Sequence, residues 1–171
     1  MLPGMEPAQI VNAEDYQPEE RWMQKALHQA AKAAEADEVP VGAVIIRQGR
    51  IIAQAHNQVE LLKDATAHAE MIAITQAASA IGDWRLTGCV LYVTKEPCPM
   101  CAGAIVLSRV PVIVWGVSDP LRGGATSRFQ IVNDPNLNHR PRVITGLLEA
   151  ECRHLLQSFF QRKRTPPAQD S

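Results

Sequence analysis

A mixed α/β fold, with helices covering both faces of its sheet, is what this chain of 171 residues predicts. Three observations carry that prediction: apolar runs of strand length, segments of helical period between them, and an initial hairpin before the alternation begins. The length fits one domain able to bury around two thirds of its unfolded surface, so folding needs neither a disulfide nor a structural metal.

Residues 1–17 show no sustained period and are expected to form a flexible extension. Pro18-Glu19-Glu20 then starts a helix in which Trp22, Met23, Ala26, Leu27, Ala30 and Ala34 recur at helical spacing, marking it as a packing helix. Residues 43–47 and 50–55 are apolar runs joined by Gln48-Gly49, which predicts a hairpin. A helix follows over 67–80, with Ile72 and Ile74 among its apolar positions. Residues 90–93 and 112–115 read as strands, with a crossover helix over 99–108. An amphipathic helix over 147–164 closes the fold, and Leu148, Leu155, Phe159 and Phe160 are its candidates to face the sheet. The polar, proline-containing residues 165–171 are expected to be disordered.

The chemistry concentrates in two short segments, His68-Ala69-Glu70 and Pro97-Cys98-Pro99-Met100-Cys101. His68, Cys98 and Cys101 supply three ligands of the types that bind zinc, and three ligands leave the fourth tetrahedral position open, as catalytic sites require. Zinc lowers the pKa of a bound water from 15.7 to roughly 7, and Glu70 is the carboxylate available to move its protons. A structural zinc knuckle is the competing reading. Against it, no second Cys-x-x-Cys or His-x-His pair exists to close such a site, and a structural site needs no spare carboxylate.

Helix geometry adds a constraint. Residues two apart on a helix point about 200° apart, so His68 and Glu70 cannot both face one metal from mid-helix. The metal must lie off the helix N-terminus. Cys98 and Cys101 can share the first turn of the next helix, where Pro99 is tolerated and the dipole favours thiolate.

Composition bounds the rest. Residues 1–20 hold no signal-peptide pattern and no stretch approaches a membrane span, so a cytoplasmic location without a membrane partner is expected. Cys89 and Cys152 read as core residues. The net charge is −1, but residues 1–64 carry six basic and ten acidic side chains, whereas residues 121–171 carry eight and four. A nucleic-acid backbone would therefore dock on the C-terminal third, with Arg122, Arg140, Arg162, Lys163 and Arg164 as candidate contacts.

Four segments, 38–44, 66–70, 91–105 and 137–140, closely resemble the bacterial tRNA adenosine deaminases of the cytidine deaminase-like superfamily. The resemblance spans roughly residues 20–164, and its His-x-Glu…Pro-Cys-x-x-Cys pattern matches the established signature of base-modifying zinc deaminases. It implies a three-layer α/β/α sandwich around five strands, with residues 18–164 as the deaminase domain. It implies one zinc per chain, hydrolysis of adenosine to inosine at the wobble position of a tRNA anticodon stem-loop, and a homodimer. It also implies that Asn57 and Ala69 contact the purine and that Asp119 lies beside the flipped nucleotide.

Two departures are local. Pro120-Leu121-Arg122 stands where the family has a lysine after its aspartate, and Lys95 replaces an apolar residue before Glu96-Pro97-Cys98. A free-base or nucleoside deaminase acting on guanine or cytosine, and a noncatalytic zinc module, remain the alternatives.

Overall fold

The computed structural model describes residues 11–165. Five strands form one sheet in the order β2-β1-β3-β4-β5: β1 Gly42–Arg47, β2 Arg50–His56, β3 Cys89–Lys95, β4 Val112–Val117 and β5 Arg142–Thr145. β1 runs antiparallel to β2 and β3, whereas β3, β4 and β5 are parallel. Gln48 and Gly49 both take positive φ, 50° and 68°, which suits a two-residue hairpin turn that follows the strand twist.

Alternation along the strands divides the core. Ala43, Ile45, Leu91, Val93, Ile113 and Trp115 point to one face, where α3 (Ala69–Ile81) and α4 (Pro99–Leu107) cover them. Val44, Ile46, Val90, Tyr92, Val112 and Val114 point to the other, beneath α1 (Glu20–Glu35) and α5 (Glu149–Arg164). This is the expected three-layer sandwich. β3 and β4 are central and parallel, which explains their nearly unbroken apolar runs.

The differences from expectation have local causes. β5 has no fully buried residue and only four positions, so it leaves almost no apolar signal. The one-turn helix α2 (Val59–Leu62) buries none of its residues and is equally silent. In α1 the core-facing alanine is Ala33, with Ala34 half-buried at the flank. In α5 the buried face runs through Cys152, Leu156 and Phe159, spaced at i, i+4 and i+7. Phe160 lies off that face and is 41% exposed, and Leu155 is only half-buried. Leu148 packs on the core, but its φ of 50° places it ahead of the helix as the N-cap.

Residues 11–17 belong to the segment expected to form an extension, and they contact the domain. Val11, Ala13 and Tyr16 pack against the α1/α5 side of the core, and the Tyr16 and Tyr92 hydroxyls are 2.5 Å apart. One guanidinium nitrogen of Arg142 also donates to the carbonyls of Ala13, Glu14 and Tyr16 at 2.7–3.0 Å. Residues 1–10, and the expected disordered tail beyond Thr165, lie outside the described residues.

Candidate active site

Two helix N-termini meet beside the C-terminal ends of β3 and β4. His68 is the N-cap of α3 and Cys98 the N-cap of α4, both in extended conformation, and Pro99 occupies the first turn of α4. His68 Nδ1 lies 3.5 Å from both Cys98 Sγ and Cys101 Sγ. All three ligand atoms fall within 4.8 Å of one another. A tetrahedral zinc with ordinary bond lengths has an N···S edge of about 3.6 Å, so this donor set fits the ion in spacing as well as chemistry.

The electrostatics suit a cation. A hydrogen bond from Cys101, reinforced by His68, lowers Cys98 to about 4 despite its burial. The Cys101 thiol is pushed up by that same bond and by burial. Zinc takes cysteine as thiolate, so binding at this pair would release whatever protons the sulfurs carry. Glu70, in the first turn of α3, is 3% exposed. Burial raises its carboxyl above the usual range, against the pull of its backbone N–H and His68.

His68, Glu70 and Cys98 form the floor of a cavity of about 730 Å³, with Cys101 fully buried behind them. Asn57 lines it with its amide held on both sides: Nδ2 donates to the Val39 carbonyl, and Oδ1 accepts from Val59 N–H, each at 3.3 Å. Ala69 lines it at the first position of α3, where backbone N–H groups have no intrahelical acceptor. Asp119 lines the opposite wall. Its Oδ1 accepts from the N–H groups of Leu121 and Arg122, and its Oδ2 lies 2.8 Å from Lys95 Nζ. Burial alone would raise the Asp119 carboxyl, but Lys95 and the two amides bring it below its ordinary value.

The basic candidates separate. Arg122 and Lys163 line the cavity, with Lys163 paired to Asp37 at 2.5 Å and lying over the Phe159 ring. Arg162 and Arg164 are exposed on the same last turn of α5. Arg140 lies apart: it precedes β5, whose Arg142 pairs with Val112 at the start of β4, while Asp119 follows the other end of β4. His139 is fixed there, Nε2 to the Val110 carbonyl, at 2.7 Å.

Three participants gave no signal in the sequence. Glu38 is 2% exposed and accepts the N–H groups of Glu60 and Leu61, anchoring α2 at the cavity mouth. Glu96 is equally buried and holds the 119–127 loop. Phe159, read only as a sheet-facing residue of α5, lines the cavity wall. An acid's burial depends on donors distant in sequence, so composition and periodicity could not reveal it.

Residues 17–164 match the MafB19-like deaminase family. The chain is 47% identical over 146 residues to a tRNA-specific adenosine deaminase of Bacillus subtilis, covering 85% of this chain and 91% of the relative. It is 48% identical over 145 residues to that of Aquifex aeolicus, covering 85% and 95%. The chain belongs to the tRNA-specific adenosine deaminases. Among solved structures, a tRNA:A34 deaminase of A-to-I editing at the wobble position superposes with a TM-score of 0.78 at 43% identity, covering 81% of this chain and all of that one. A noncatalytic role is thereby set aside, since members of this family are enzymes.

Proposed function

We propose that this enzyme hydrolyses adenosine to inosine at the wobble position of a tRNA anticodon, with one zinc per chain on His68, Cys98 and Cys101. The observation that carries the reading is the convergence of that donor set with buried Glu70, at a cavity whose floor His68, Cys98 and Glu70 line. Bound zinc supplies the Lewis acidity that makes water a competent nucleophile at neutral pH.

The chain's own groups do the rest. Glu70 accepts a proton as water adds to the ring carbon bearing the amine. It passes that proton to the ring nitrogen, then serves the departing amine, which leaves as ammonia. Burial raises the proton affinity of this carboxyl above that of an exposed one, which favours it as the acceptor of the water proton. Asn57, with its amide already fixed, orients the purine edge without reorganisation. The 730 Å³ cavity admits a base extruded from the anticodon loop, and Arg122 and Lys163 at its edge offer charge to the flanking phosphates.

The reading includes a cytoplasmic homodimer, on the strength of the family. No helix among the described residues is long and apolar enough to cross a membrane. Inosine formation in an anticodon stem-loop, assayed beside ammonia release from guanine and cytosine, tests the substrate. Wild type should act on the stem-loop alone, and Glu70→Ala should keep zinc while losing on the order of 10²–10⁴-fold in turnover. Ammonia from free bases with an untouched stem-loop would replace the RNA reading with a small-molecule one.

A further inference from the structure

We infer that Glu96 is a positioning residue: its buried carboxylate holds the 119–127 loop as the substrate-facing wall of the cavity. Nothing in the deamination chemistry requires this side chain, yet it is only 3% exposed. Both of its oxygens are fully engaged. Oε2 accepts the Asp119 N–H at 2.9 Å and the Ser127 hydroxyl at 2.5 Å, while Oε1 accepts the N–H groups of Thr126 and Ser127 at 2.9 Å each. The four bonds bind both ends of the loop to one point at the end of β3, where the Glu96 N–H in turn donates to the Val117 carbonyl.

The loop is shaped around that anchor. Gly123 N–H donates to the Asp119 carbonyl, and Gly124 N–H to that of Pro97, both at 2.8 Å. A Cβ on Gly123 would sit 2.4 Å from the Glu96 carboxylate, and one on Gly124 would sit 2.2 Å from the Pro99 nitrogen. Only glycine permits either approach. The neighbouring Lys95 adds an independent tie, holding Asp119 Oδ2 at 2.8 Å. Two consecutive residues thus grip the loop, one by its backbone and one by its side chain. What they fix in place is Asp119 and Arg122, which line the cavity.

A carboxylate is buried without penalty only where donors surround it, and here four do. The arrangement is therefore specific to a carboxylate. In Glu96→Gln, an amide at the Oε2 position could still be accepted by the Ser127 hydroxyl, but the Asp119 N–H would lose its acceptor. An amide at the Oε1 position would face two N–H groups at once. Either orientation releases one end of the loop while leaving β3 and the cysteines untouched.

Loop release is readable without catalysis, because Arg122 and Arg128 are exposed on this segment and trypsin cleaves after each. The experiment compares wild type with Glu96→Gln in full-length, zinc-loaded protein, by mass-resolved tryptic cleavage, zinc content and stem-loop kinetics. Cleavage after Arg122 or Arg128 should accelerate at least about fivefold. KM for the anticodon stem-loop should rise about tenfold or more, as expected for a lost bond to a charged acceptor, with kcat within about threefold. Zinc should remain at one per chain.

Unchanged cleavage together with unchanged KM would overturn the inference, and so would loss of zinc, which would place the effect on the metal-binding helix. If Glu96→Gln does not fold, Ser127→Ala removes one of the four bonds and must move cleavage and KM in the same direction by a smaller factor. The kinetic arm rests on the RNA reading above, whereas the proteolytic arm does not. An inert wild type would defeat that reading and leave Glu96 still tested.

Discussion

At the floor of the cleft, His68 and Glu70 arrive on the first turn of one helix, and Cys98 and Cys101 on the first turn of another. The wall is assembled differently. Glu96 reaches Ser127 across 31 positions, and Lys163 reaches Asp37 across 126. The floor thus takes its geometry from helix caps, which fix side-chain direction within a residue or two. The wall takes its geometry from tertiary contacts between segments that carry no local pattern. Damage to the floor should abolish chemistry outright, while damage to the wall should change how substrate is held.

The largest expected effect follows from the floor. Cys98→Ala and Cys101→Ala each leave two ligands, too few for tight zinc binding, so metal analysis should fall from about one zinc per chain to near zero and turnover should vanish with it. The fold should survive, because both core clusters are built on apolar contacts independent of any metal. Zinc retained at wild-type levels in both variants would remove the ligand assignment.

That contrast also explains how much of the molecule was legible. The hairpin could be read from Gln48-Gly49 between two apolar runs, and α3 and α4 from motifs that sit on their caps. β4 could be read because a central parallel strand buries every residue. β5 could not, since no residue in it is fully buried. Phe160 was misplaced because Cys152 carries the apolar face that periodicity assigned to the larger side chains. Lys95 reads in sequence only as a departure from an apolar position, whereas its ammonium lies 2.8 Å from Asp119. For Lys95 the missing information was the identity of a partner distant in sequence; for β5 and Phe160 it was which positions the tertiary packing buries.

A smaller effect is expected at the far end of the wall. Arg162, Lys163 and Arg164 complement the C-terminal dipole of α5, which gives them a structural role whatever else they touch. If they also meet RNA phosphates, replacing all three by Ala should weaken stem-loop binding and flatten its salt dependence. The slope of log affinity against log salt changes by about 0.7 per lost contact on a single strand, hence by roughly 2 at most. Lys163 already pairs with Asp37, so Arg162→Ala and Arg164→Ala together should account for most of the change. An unaltered slope in the triple variant would confine RNA contact to the cavity edge near Arg122.

The smallest effect concerns the Lys95–Asp119 pair, and here the sign is fixed by the direction of the shift. Asp119 has its carboxyl lowered in the folded chain, where Lys95 and two backbone amides outweigh its burial. In the unfolded chain it returns to an ordinary value near 3.9. The pair's contribution is therefore fully present above about pH 4, and is lost as pH falls through the lower folded value. Both side chains are partly shielded, at 29% and 13% exposure, so the interaction is less screened than a surface pair. Thermal unfolding from pH 6 down to pH 3 should show wild type losing stability more steeply below pH 4 than Asp119→Asn. Each kcal/mol corresponds to about 2–4 °C in Tm for a chain near this size. Parallel curves for the two proteins would mean that Asp119 titrates alike in both states, leaving the loop held by its backbone through Glu96 alone.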